Sequence, residues 1–186
     1  MLSHRPAARL GLTGALAGAL AVTGCAASAA STGATAAAPS HTAHLMVYSI
    51  NSDGPDFQAI VTGAIGDYGP AQTVFGNGQV DPSHTHDLEL KLTRGSFKLS
   101  ITGLDKKFTA VTSHEPIYPR TCSDYLTASA PMPVVPGSGT GAYRGISGRF
   151  TVTITGDEVE RTPCQPDAGF RWQALVLRGP GRVSVG

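Results

Sequence analysis

Three short runs of this chain put an apolar residue at every second position: Leu88, Leu90 and Leu92; Phe97, Leu99 and Ile101; Phe150, Val152 and Ile154. Successive side chains of an extended strand point to opposite faces, so each run reads as a strand with one buried and one wetted face. Weaker versions occur at 45–50, 57–64, 73–80, 107–113 and 170–177. Turn-forming residues punctuate them at Ser52-Asp53-Gly54-Pro55, Gly69-Pro70, Asn77-Gly78, Thr102-Gly103-Leu104-Asp105 and Thr155-Gly156-Asp157. Of the chain's 23 glycines, 18 follow Ser40, spaced too closely for long helices, and no window there carries a clean helical apolar stripe. The pattern predicts an all-β domain of eight or nine short antiparallel strands, which must close into a barrel or stack as a sandwich. Residues 179–186 read as a bend followed by a last short strand that can pair with an early one and close a barrel.

The first 40 residues follow a different logic. His4, Arg5 and Arg9 precede an uncharged, apolar run over 10–24, the layout of an export signal. The run is shorter than the roughly 20 apolar residues that a membrane-spanning helix needs. Val22-Thr23-Gly24-Cys25 resembles the lipobox of bacterial lipoproteins, in which the cysteine is acylated, by palmitate among other chains, and becomes the mature N-terminus. The alternative is ordinary cleavage near Ala26-Ala27-Ser28, which discards Cys25. Eight of the thirteen residues over 26–38 are alanine, with too little bulk to bury, so 25–39 reads as a flexible tether. The expected organisation is a signal at 1–24, the tether at 25–39 and one β domain at 40–186, near the common size of a single domain. The protein is then expected outside the cytoplasm, anchored to the outer face of the membrane by lipid on Cys25.

From Ser40 onward there are 12 Lys and Arg against 13 Asp and Glu. This even balance, with no basic cluster, excludes a nucleic-acid-binding face and a charged membrane-binding face. With Cys25 assigned to lipid, Cys122 and Cys164 remain, and two cysteines in one small exported domain form a disulfide. Their spacing suits neither a CxxC redox pair nor a zinc site.

Gly137-Ser138-Gly139-Thr140-Gly141-Ala142-Tyr143-Arg144-Gly145-Ile146-Ser147-Gly148-Arg149-Phe150 resembles the barrel proteins of the allene oxide cyclase and dirigent type. The stretch over 57–69 followed by 74–80 is similar to the N-terminal half of small exported actinobacterial proteins assigned to that barrel. The resemblance implies an eight-stranded antiparallel barrel with an apolar interior. Read by itself, the motif is architecture: Gly139, Gly141, Gly145 and Gly148 permit tight backbone approach, and Tyr143 and Phe150 add bulk. It is no dinucleotide fingerprint, because its third glycine is misplaced and no helix follows.

Candidate chemistry is sparse. His84 and His86, placed at i and i+2 of a strand, could reach one zinc with help from His114 and Glu115, against the plainer reading of a solvated strand entrance. No G-x-S-x-G elbow surrounds Ser138 or Ser147. Asp157, Glu158 and Glu160 beside Arg161 read as an acidic turn facing solvent. Trp172, with Tyr143 and Phe150, is a candidate lining for an interior just wide enough in an eight-stranded barrel to hold one small ligand. No cofactor is implied. The sequence therefore points to a non-enzymatic barrel binding a small apolar ligand or an envelope partner, with a barrel isomerase or cyclase acting on a lipophilic substrate as the alternative.

Overall fold

The computed structural model describes residues 39–50, 57–114, 117–162, 164 and 169–186. The expected signal, Cys25, the tether as far as residue 38, the turn at 52–55 and Glu115 lie outside them. The described residues form one antiparallel sheet of eight strands: β1 (His41–Ile50), β2 (Phe57–Gly63), β3 (Asp67–Val74), β4 (Asp87–Leu92), β5 (Gly95–Ser100), β6 (Ser123–Pro133), β7 (Ser147–Glu160) and β8 (Phe170–Ser184). The spatial order is β5-β4-β3-β2-β1-β8-β7-β6, and the sheet curls into a half-barrel. Alternate residues of each strand point into one core, with Val47, Val61, Leu90, Phe97, Leu99, Met132, Phe150 and Val152 buried at its centre.

The early strand and the last one do pair: β1 runs against β8 from His41 opposite Val183 to Ile50 opposite Ala174. No bend interrupts β8 at 179–181, which continues as strand through Pro180. β6 does not stand out by alternation because its inward row, Leu126, Ala128, Ala130 and Met132, is half alanine. Its Pro131 and Pro133 are tolerated because β6 pairs only with β7, and an edge strand can spare the donors that proline lacks.

The turn expected at 102–105 and the strand expected at 107–113 are instead one helix, α1 (Thr102–Thr112). Ile101, Leu104 and Phe108 fall on one side of it, Leu104 is buried, and Lys106, Lys107 and Thr109 are exposed. That stripe has Asp105 where a fourth apolar residue would complete it, so the run carries no clean helical pattern. The helix packs on β6, where Lys107 Nζ donates to the Ser129 carbonyl at 2.8 Å.

The two edges, β5 and β6, are bridged by residues 134–142. Leu99 pairs with Val134, Val135 N–H donates to Lys98 O, Thr140 N–H to Ser96 O and Ala142 N–H to Arg94 O. The glycine motif therefore closes the sheet. Gly141 has φ +55° and a Cβ there would sit 2.4 Å from Arg94 O; at Gly148, with φ +125°, it would sit 2.1 Å from Arg182 O. Neither position accepts a side chain. Gly139 is equally tight against Tyr143 O, and Gly145 turns with φ +80° in more open space. A disulfide joins Cys122 to Cys164, with the Cα atoms 5.0 Å apart, tying the start of β6 to the connection between β7 and β8.

Candidate functional site

Helix α1 stands off the concave face of the sheet and leaves a cavity of about 390 Å³. Its apolar walls are Phe57 from β2, Leu88 from β4, Ile101, Leu104 and Phe108 at the helix, Ile154 from β7, and Leu175 and Leu177 from β8. Ser49, Thr73, His84, Asp105 and Gln173 supply its polar groups. Concave, mainly apolar pockets of roughly 300–1,000 Å³ with a few polar groups are the usual form of a small-molecule site.

Gly156, in the middle of β7, helps to make room. Together with Thr155 and Asp157 it was expected to turn the chain; it lies mid-strand instead, and an added Cβ would come 3.3 Å from Phe108 Cζ and 3.4 Å from Glu158 Oε1. The missing side chain lets the Phe108 ring lie against the sheet.

The two histidines are placed apart by a loop, not side by side on a strand. Asp81, fully buried, accepts backbone N–H bonds from Ser83, Thr85 and His86, and its Oδ2 lies 2.9 Å from His86 Nδ1. Burial alone would raise the pKa of Asp81; these hydrogen bonds outweigh it and hold the carboxyl well below the usual range. His84 follows with φ +55°, and its Nδ1 lies 2.6 Å from Thr73 Oγ1. Because the Thr73 hydroxyl donates to Asp81 O, it accepts from Nδ1, leaving Nε2 of a neutral His84 as an acceptor. His84 lines the cavity, whereas His86 packs edge-on against Phe75. His114 is exposed beyond the C-terminal end of α1. Among the described residues no histidine belongs to a metal-sized cluster.

The aromatic residues expected to line a ligand site are elsewhere. Phe150 is buried beneath Gly181, and Trp172 is 40% exposed. Tyr143 belongs to the closure: its hydroxyl donates to Asp67 Oδ2, its ring meets Phe97 edge-on at 5.4 Å, and the Arg94 guanidinium lies 5.9 Å from its centroid. Burial and the Asp67 carboxylate push the Tyr143 hydroxyl up to about 12.

The acidic residues at the end of β7 overturn the expectation of a solvated turn. Glu158 and Glu160 point inward and are buried, as is Asp124, the cross-strand partner of Glu158 on β6; only Asp157 faces solvent. Burial, then repulsion from the neighbouring carboxylates, pushes both glutamates above their ordinary value, with the Gln173 hydrogen bond opposing this at Glu158. Alternation alone places Glu158 and Glu160 on the same face as Ile154, a signal that the run of charge concealed. Gln173 connects the two regions, since it lines the cavity and its Nε2 donates to Glu158 Oε1. No family model, no curated protein and no solved structure matches the chain.

Proposed function

We propose that this protein is a binding module for a small apolar molecule with one polar end, held outside the cytoplasm by acyl chains on Cys25. The cavity carries the reading. Eight apolar side chains surround it, and burying a ligand's apolar surface against them yields roughly 25 cal/mol per Å². His84 and Asp105 offer acceptors and Gln173 an amide at its polar margin, suiting a hydroxyl or a similar donor. The lipobox at 22–25 and the alanine-rich tether support the anchored location, and the resemblance of 137–150 to the allene oxide cyclase and dirigent barrels supports an apolar interior. The even charge balance past Ser40 argues against nucleic acid as a partner.

Native mass spectrometry of the purified chain, after incubation with a bacterial lipid extract, tests the reading. A single adduct released on denaturation, and lost in the cavity-filling variant Leu175→Trp, is the expected result. An unchanged apo mass, or an adduct indifferent to Leu175→Trp, would sink it. A second reading, an isomerase or cyclase acting on a lipophilic substrate, draws on one observation: the protonation-prone Glu158 is hydrogen-bonded to cavity-lining Gln173. An adduct released chemically altered would favour that reading over simple binding.

A further inference from the structure

The last turn of alternation in β7 puts Gly156, Glu158 and Glu160 on the inner face, and the register of β6 sets Asp124 opposite Glu158. The inner row thus changes from aliphatic at Val152 and Ile154 to ionisable at Glu158 and Glu160 within a few residues. Asp124, Glu158 and Glu160 are 2%, 3% and 5% exposed, and one oxygen from each lies within 4.8 Å of the other two. Taking a carboxylate out of water is costly unless it is paired, hydrogen-bonded or bound to a metal. Glu158 has one donor, Gln173 Nε2. Glu160 Oε2 is buried and has no hydrogen-bond partner among the described residues. Among the described residues neither glutamate forms an ion pair.

We propose that Asp124, Glu158 and Glu160 form a binding site for one hard divalent cation of the calcium type. Three observations converge. The donor set is all carboxylate oxygen, which selects hard cations over zinc and copper. The oxygens are as close as ligands on one ion, since two oxygens across a calcium lie about 4.8 Å apart at bond lengths near 2.4 Å. The orphaned Glu160 Oε2 is a buried acceptor of the kind that such an ion satisfies. Calcium tolerates irregular shells of six to eight oxygens, which three mono- or bidentate carboxylates and water can complete, whereas magnesium demands a tighter octahedron. The site lies apart from the two histidines and stands independently of what the cavity binds. Gln173 touches both.

Calorimetric titration of CaCl2 into the EDTA-stripped full chain, paired with thermal melts, tests this. One saturable calcium per chain and a Tm that rises with its concentration are expected. Glu160→Gln, close in shape to the native residue and relieved of one repelling charge, is expected to weaken calcium at least tenfold. The same variant, stripped of metal, is expected to melt no lower than the wild type. Asp157→Asn, on the outer face of the same strand, is expected to keep the affinity within about twofold. No saturable uptake by the wild type, binding of zinc alone, or calcium binding unaffected by both Glu160→Gln and Glu158→Gln would overturn the proposal. The wild-type titration decides the matter even if a variant fails to fold.

Discussion

At the scale of single residues, the buried acids divide into two kinds. Asp67 and Asp81 are surrounded by donors. Asp67 accepts from the backbone N–H of Tyr68, Thr93 and Arg94, from Thr93 Oγ1 and from the Tyr143 hydroxyl. Burial would raise its pKa, and these bonds outweigh it, holding the carboxyl well below its ordinary 3.8. The unfolded chain therefore binds protons that folded Asp67 and Asp81 refuse, so the stability these two contribute is complete above about pH 5 and is lost as the pH falls through their ordinary 3.8 toward their depressed folded values. Urea midpoints between pH 5 and 2 are expected to fall steadily, and Asp67→Asn to lower the midpoint at neutral pH while flattening the acid slope; an unchanged slope would remove Asp67 from the account. Glu158 and Glu160 have few donors and repelling neighbours. The sequence exposes the acids but not this division, because the partners of Asp67 lie at Arg94 and Tyr143, 27 and 76 positions away. Tyr143 was expected near a ligand for the same reason: its surroundings of glycine were legible, its distant carboxylate was not.

At the scale of elements, period-2 alternation located the strands wherever the inward row was bulky. β4, β5 and β7 stand out through leucine, isoleucine, valine and phenylalanine, whereas β2, with Ala59 between Phe57 and Val61, shows only weakly and β6, its inward row half alanine, does not show. Helix α1 was missed for a related reason. It has one buried residue, Leu104, with Phe108 partly covered, and it is fixed by the sheet beneath it more than by its own pattern. Leu104 is consequently the pin of the helix. Leu104→Ala is expected to cost about 2–4 kcal/mol in denaturant unfolding and to enlarge the cavity, so that a bulkier apolar probe binds. A loss under 1 kcal/mol would mean that the helix is held by its polar contacts, Lys107 to Ser129 among them.

At the scale of the molecule, the all-β class and the disulfide were legible, since alternation, composition and cysteine count constrain them directly, whereas the choice of a barrel over a sandwich came only from the resemblance of 137–150 to the dirigent-type barrels. The cavity was not legible, because a half-barrel can be filled or hollow with the same alternation, and the standoff of α1 decides it. The disulfide closes a loop with its cysteines 42 positions apart, for which the chain-entropy model gives about 3–4 kcal/mol. Reduction is expected to lower the unfolding free energy by that amount, moving the urea midpoint down, while leaving the far-ultraviolet spectrum of the folded form unchanged, and an unshifted midpoint would assign the bridge no stabilising role. The strand order carries a temporal consequence. β1 through β5 form a ladder of neighbours in sequence, β6 and β7 form a hairpin, and β8 lies between the two groups. Before β8, fifteen residues long, takes its place, the two groups meet only where residues 134–142 pair with β5, and the sheet stays open between β1 and β7. Insertion of β8 between β1 and β7 is thus a pairing step of long sequence separation, His41 opposite Val183, of the kind that slows folding.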